Sequence, residues 1–145
     1  MLEKYLTRNL VVFNATASTP EEVIRLAGNL LLDEGKIKQE YVDAMIESYH
    51  KLGSYIVIAP HIAMPHARPS QYVNEKSISF IKLKTPVKFN SKKNDPVKIV
   101  FALAGKDDES HLGMIKELAE LLTNPEKVEK LTYVNNYQNF LKIIS

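Results

Sequence analysis

Ala59-Pro60-His61-Ile62-Ala63-Met64-Pro65-His66-Ala67-Arg68-Pro69 packs three prolines, two histidines and an arginine into eleven residues of a chain with only four histidines. Proline has no backbone N–H to give to a helix or a ladder, and it pushes the residue before it toward extended geometry. Neither a plain helix nor a central strand is expected here. The segment reads instead as a stiffened, irregular backbone presenting side chains, and His66 has the most chemistry to offer.

On the N-terminal side, Tyr55-Ile56-Val57-Ile58 reads as a short strand that delivers this segment, with Gly53 as the break before it. Gln39 to His50 reads as a helix, with Tyr41, Val42, Met45, Ile46 and Tyr49 at burial spacing. Before that, Thr19-Pro20-Glu21-Glu22 opens a helix with a cap, a first-position proline and a capping box, and the helix stops near Gly35. Leu10-Val11-Val12-Phe13 reads as a first strand after a short helical lead.

On the C-terminal side, Ser77 to Leu83 alternates polar and apolar residues like a half-buried strand, and Val87 to Phe89 is a candidate short strand in a lysine-rich excursion. Val97 to Ala104 is the most apolar run and is expected at the centre of the sheet. Gly105 to Ser110 turns into a third helix carrying Leu112, Ile115, Leu118, Ala119 and Leu122; Asn124-Pro125 starts a fourth, and Asn136 to Ile144 forms a fifth. Strands and helices intermingle without an internal boundary. The expectation is one α/β domain over residues 1–145, a mixed β-sheet of about five strands flanked by helices.

Composition narrows the function classes. The net charge of +2 comes from mixed acids and bases, so no nucleic-acid or membrane-surface footprint stands out. With no cysteine there is no disulfide, no thiolate nucleophile and no Cys-type zinc site, which fits a cytoplasmic protein. Charges interrupt the N-terminal stretch where a signal peptide needs an apolar core, so neither export nor membrane insertion is expected.

The five glycines form neither a phosphate-binding loop nor a dinucleotide fingerprint, so no nucleotide cofactor is expected. A metal site from His61 and His66 is disfavoured, because five residues of separation put them on opposite faces of an extended segment.

Imidazole is a good nucleophile toward phosphorus, and the phosphoimidazole stays reactive enough to pass its group onward. His66 is therefore a candidate phosphoryl carrier, against the plainer reading of a hydrogen-bonded loop histidine. His111 lies at the start of the third helix, where unpaired N–H groups and the helix dipole favour an anion. It is a candidate phosphate stabiliser, against the plainer reading of an exposed helix-start residue. Arg68 suits phosphate or an acidic partner if it is not simply solvated. His61 and His50 are weaker candidates, and His50 ends a helix where a cation is favoured anyway.

Ile62-Ala63-Met64-Pro65-His66-Ala67-Arg68, followed some forty-five residues later by His111-Leu112 at a helix start, closely resembles the EIIA components of the mannitol/fructose family (EIIA type 2) of the bacterial sugar phosphotransferase system (PTS). The wording from Ala59 to Pro69 looks most like the ascorbate-type branch. The resemblance covers nearly the whole chain and implies a mannitol-type EIIA fold and a phosphotransferase with a phosphohistidine intermediate. It implies that His66 accepts a phosphoryl group from phosphorylated HPr and passes it to a cysteine of an EIIB component serving a membrane EIIC, with His111 steadying the group.

Two departures stand out. His61 occupies a place where the pattern usually has glycine, so it is either an extra phosphate neighbour or a spacer. The arginine of mannitol-type members late in the preceding helix is missing, with Ser48, Tyr49 and His50 there instead; Arg68 is the substitute candidate, with His61 and His50 behind it. Ile62, Ala63, Met64 and Ala67 are expected to form a dry docking surface for the two partners. A regulatory relative, whose phosphorylation state governs binding to another protein, would need the same histidine. An interaction module without phosphoryl chemistry is the third reading.

Overall fold

A computed structural model describes all residues from 1 to 145. It contains five strands, β1 (Val11–Ala15), β2 (Val57–Ala59), β3 (Ile62–Ala63), β4 (Ser77–Val87) and β5 (Val97–Ala104). The five helices are α1 (Pro20–Asp33), α2 (Gln39–Leu52), α3 (Asp108–Leu122), α4 (Pro125–Leu131) and α5 (Tyr137–Ile144). The strand order is β1-β4-β5-β3-β2, with β1/β4 and β3/β5 parallel and β4/β5 and β2/β3 antiparallel. The expected single mixed sheet is thus present, and β5 is its middle strand.

Alternation along β5 builds two cores. Ile99, Phe101 and Leu103 point into the layer closed by α3, α4, α5 and the N-terminal turns. Val100, Ala102 and Ala104 point into the layer closed by α1 and α2. Each fully buried Val, Leu, Ile or Phe contributes about 1.5–3 kcal/mol, so a strand buried on both faces is strongly held.

Helix starts follow the sequence signals. Thr19 Oγ1 accepts from the Glu22 N–H, and Asn124 and Asn136 cap α4 and α5 in the same way. The box at α1 is displaced by one residue: the Glu22 carboxylate accepts from the Ser18 N–H. At α3 the box is complete between Asp107 and Ser110.

Four expectations need correction. β4 is buried on both faces from Ser77 through Leu83, and two of its three polar side chains there find partners inside. Ser79 Oγ–H donates to the Ala27 carbonyl, and Lys82 Nζ donates to Asn135. The expected short strand at Val87 to Phe89 is the end of β4, and Phe89 lies beyond it. Residues Gly53–Ile56 form a 3₁₀ turn, so the strand expected from Tyr55 begins at Val57. Finally, Ile62–Ala63 is an interior strand despite its prolines. Pro60 lies in the turn before it and Pro65 lies after it, so neither nitrogen falls in the two-residue ladder.

Candidate functional site

The proline-histidine segment is laid along β5 by backbone bonds. The His61 carbonyl accepts from Lys98 and Ile99, and the Pro65 carbonyl accepts from Leu103. The chain therefore runs parallel to β5 and brings His66 to its C-terminal end, beside Gly105 and the entry to α3. Tyr41, fully buried on α2, pins this end: its hydroxyl accepts from the Ala67 N–H at 3.1 Å and donates to the Leu103 carbonyl at 2.9 Å. Burial pushes the Tyr41 phenol up to about 12.

His66 is half-buried, and its Nδ1 lies 2.6 Å from the Met64 carbonyl oxygen. A carbonyl only accepts, so Nδ1 carries the proton and donates, and the neutral ring keeps its lone pair on Nε2. That lone pair is free of the Met64 carbonyl and is of the kind that can attack phosphorus. Tyr55, on the 3₁₀ turn, sets its hydroxyl 3.3 Å from Nε2, with ring centroids 5.7 Å apart. Sequence reasoning passed over Tyr55 because it assigned the residue to a strand.

The ring of His111 stands 5.5 Å from that of His66, centroid to centroid. The two histidines expected to act together are adjacent. His111 belongs to the second turn of α3, and its own N–H is already bonded to the Asp107 carbonyl. The opening turn is partly occupied: Ser110 N–H is held by Asp107, and the N–H groups of Lys106 and Asp107, just before the helix, reach Ser110 Oγ. The side chain of His111 is what stands against His66.

Its Nδ1 is buried against Gly105 with no partner. A proton there would be a buried, unsatisfied donor, which favours the tautomer with the proton on Nε2, the nitrogen that can reach a ligand. Desolvation, with His66 nearby, holds the His111 imidazole below its ordinary value, partly opposed by Asp108.

The remaining candidates lie elsewhere or are unengaged. His61 sits at the N-terminal end of the β5 pairing, roughly 15 Å from His66 by the strand rise. Its Nδ1–H donates to the Pro96 carbonyl at 2.7 Å, and its φ of 70° explains why glycine suits this position. It is not brought to the site. His50 pairs with Glu21 at 2.8 Å, linking α2 to the start of α1. Arg68 is exposed and makes no hydrogen bond or ion pair.

The expected docking surface also needs correction. Ile62, Ala63, Met64 and Ala67 are all buried, because pairing with β5 turns them into the two cores. Tyr55, against His66, and Leu112, next to His111 in the chain, are exposed instead.

A half-buried imidazole with its lone pair on Nε2, a second imidazole beside it and no nucleotide loop suit a phosphoryl acceptor. Residues 4–145 match the family model described as "Phosphoenolpyruvate-dependent sugar phosphotransferase system, EIIA 2". The chain belongs to the EIIA type 2 family.

This EIIA chain is 31% identical over 137 residues to the "Ascorbate-specific PTS system EIIA component" of Salmonella choleraesuis (strain SC-B67), covering 94% of this chain and 89% of that protein. It superposes with a TM-score of 0.88 on the solution structure of the mannitol-specific cryptic phosphotransferase enzyme IIA of Escherichia coli, at 31% identity over 99% of this chain and 97% of that one. It also matches, at 25% identity and a TM-score of 0.85 over 95% of each chain, the Escherichia coli mannitol enzyme IIA solved in complex with phosphorylated mannitol enzyme IIB. Members are phosphotransferases that work through a phosphohistidine intermediate. No helix of this EIIA chain is long and apolar enough to cross a membrane.

Proposed function

We propose that this EIIA chain is the phosphocarrier of a sugar uptake system, taking a phosphoryl group from phosphorylated HPr on His66 Nε2 and passing it to a cysteine of an EIIB component. The observation that carries this reading is the 2.6 Å contact from His66 Nδ1 to the Met64 carbonyl, which fixes the ring and aims the other nitrogen outward. In each step one N–P bond breaks as the next bond to phosphorus forms, and Nδ1 keeps its proton throughout. His111 Nε2–H donates to a phosphoryl oxygen. Donors aimed at the three oxygens are most of what this chemistry asks of a protein.

The chain has no cysteine, so the acceptor sulfur lies on another polypeptide. Exposed Leu112 beside His111 suits brief docking of both partners, where small interfaces with fast release are useful. Ascorbate is the substrate class most in keeping with the relatives, and the cytoplasm is where both partners would be met. EIIC acts only through EIIB.

Incubation with phosphoenolpyruvate, enzyme I and HPr, followed by intact-mass measurement, tests this. One acid-labile phosphoryl group is expected, and His66→Ala should abolish it. A normal mass gain in the variant would assign the chemistry to another residue.

A further inference from the structure

The hydroxyl of Tyr55 is the only side-chain group within hydrogen-bond distance of His66 Nε2. With the His66 proton on Nδ1, Tyr55 O–H is the donor of this bond and the Nε2 lone pair is the acceptor. Tyr55 therefore occupies the place where phosphorus must arrive.

The surroundings allow it to leave without unfolding anything. Tyr55 is 58% exposed and makes no other side-chain hydrogen bond. Its backbone, in contrast, is held. Gly53, at φ 66° and ψ −139°, ends α2 in a conformation that L side chains rarely adopt and turns the chain into the 3₁₀ segment. The Ile56 carbonyl then accepts from the Met64 N–H at 2.8 Å, tying that segment to the strand that carries His66. A fixed backbone with a free side chain lets the phenol swing over a short arc and stay beside the histidine.

A phosphoryl group on Nε2 brings three charged oxygens, and His111 offers one N–H. Arg68 is unengaged, and no lysine contacts either ring. We propose that Tyr55 is a phosphoryl-binding residue: its hydroxyl covers the Nε2 lone pair in the free protein and donates to a phosphoryl oxygen once His66 is phosphorylated. The N–P bond of the donor breaks, the Nε2–P bond forms, and the phenolic proton stays on Tyr55 in both states. The inference rests on the phosphocarrier reading above and adds to it a residue that sets how long the phosphoryl group is held.

The test compares the full-length chain with Tyr55→Phe, which keeps the ring packed on His66. Three readouts are taken: the phosphoryl equilibrium with HPr, the first-order loss of the group once partners are removed, and the ³¹P resonance of the phosphorylated protein. A hydrogen bond to a charged group is worth about 1.5–3 kcal/mol, and the bond already present in the free protein offsets part of it. Tyr55→Phe should move the equilibrium 3- to 10-fold toward phosphorylated HPr and shorten the phosphohistidine lifetime by a similar factor. Its ³¹P resonance should shift toward that of the unfolded phosphoprotein. Circular dichroism confirms that the variant is folded. Wild-type equilibrium, lifetime and resonance in Tyr55→Phe would overturn the role of Tyr55. Failure of wild type itself to accept phosphate would instead overturn the phosphocarrier reading.

Discussion

A methyl group added to Gly105 would stand 2.6 Å from the Cβ of His111 and 2.8 Å from its Cα. The end of β5 and the second turn of α3 are in direct backbone contact at the place where the two histidines meet, and only glycine leaves that approach open. One neighbour in the clash is main chain and cannot rotate away. Gly105→Ala is therefore expected to push α3 outward, lower stability by about 1–3 kcal/mol, and separate His111 from His66. Urea unfolding checks the first effect. The second appears as onward transfer to EIIB falling more than uptake from HPr.

The pH behaviour of His111 has a definite sign. Burial and the neighbouring His66 lower its folded-state value below that of the unfolded chain, so the unfolded state binds the extra proton first as pH falls. The stability involved is present above the ordinary histidine range, near 6.5, and is lost as pH drops from there through the lowered value. His111→Asn removes this dependence, so the pH dependence of stability in wild type and variant should diverge as pH falls below the ordinary histidine range, near 6.5. A phosphoryl dianion on His66 should reverse the shift, and NMR titration of His111 in the phosphorylated protein reads that directly. His111→Ala should still be phosphorylated but should transfer on the order of 100-fold more slowly, as expected for loss of one donor.

Tyr41 gives an alkaline counterpart. Its phenol is raised to about 12 when folded against about 10 unfolded, so between those values the unfolded state loses the proton first and stability falls as pH rises. Up to about 2–3 kcal/mol is at stake over that span, and Tyr41→Phe should flatten the difference. Near neutral pH the same variant leaves the Ala67 N–H and Leu103 carbonyl without this partner, costing about 1–3 kcal/mol. Urea midpoints at pH 8 and pH 11 test both statements.

Leu112 has over half its surface exposed, one residue from His111 and outside both cores. Leu112→Lys should leave the unfolding midpoint within about 0.5 kcal/mol of wild type while raising the KM for HPr or EIIB by about 10-fold. Calorimetry and transfer assays together separate this from a folding defect.

The sequence reveals much of the architecture. The Val97 to Ala104 run reads as the central strand because it is apolar on both faces, and Thr19-Pro20 and Asn124-Pro125 mark helix starts because capping is a local interaction. Proximity of His66 and His111 is legible only through the motif they share with a family, since forty-five residues of chain separate them. What stays hidden depends on long-range pairing. Ile62, Ala63, Met64 and Ala67 look like small exposed spacers around a reactive histidine until parallel pairing with β5 buries them. His61 lies close to His66 in sequence, yet the same pairing carries it to the other end of the strand. Tyr55 reaches His66 only because Gly53 turns the chain into a 3₁₀ segment, where a short apolar run suggested a strand.

Phosphoryl transfer through this site depends on which nitrogen of His66 is the nucleophile, and NMR of the ¹⁵N-histidine-labelled, enzymatically phosphorylated protein answers this most directly. The contact between Nδ1 and the Met64 carbonyl requires phosphorus to couple to Nε2, with a proton still on Nδ1. Coupling to Nδ1, or to a nitrogen of any other histidine, would contradict it.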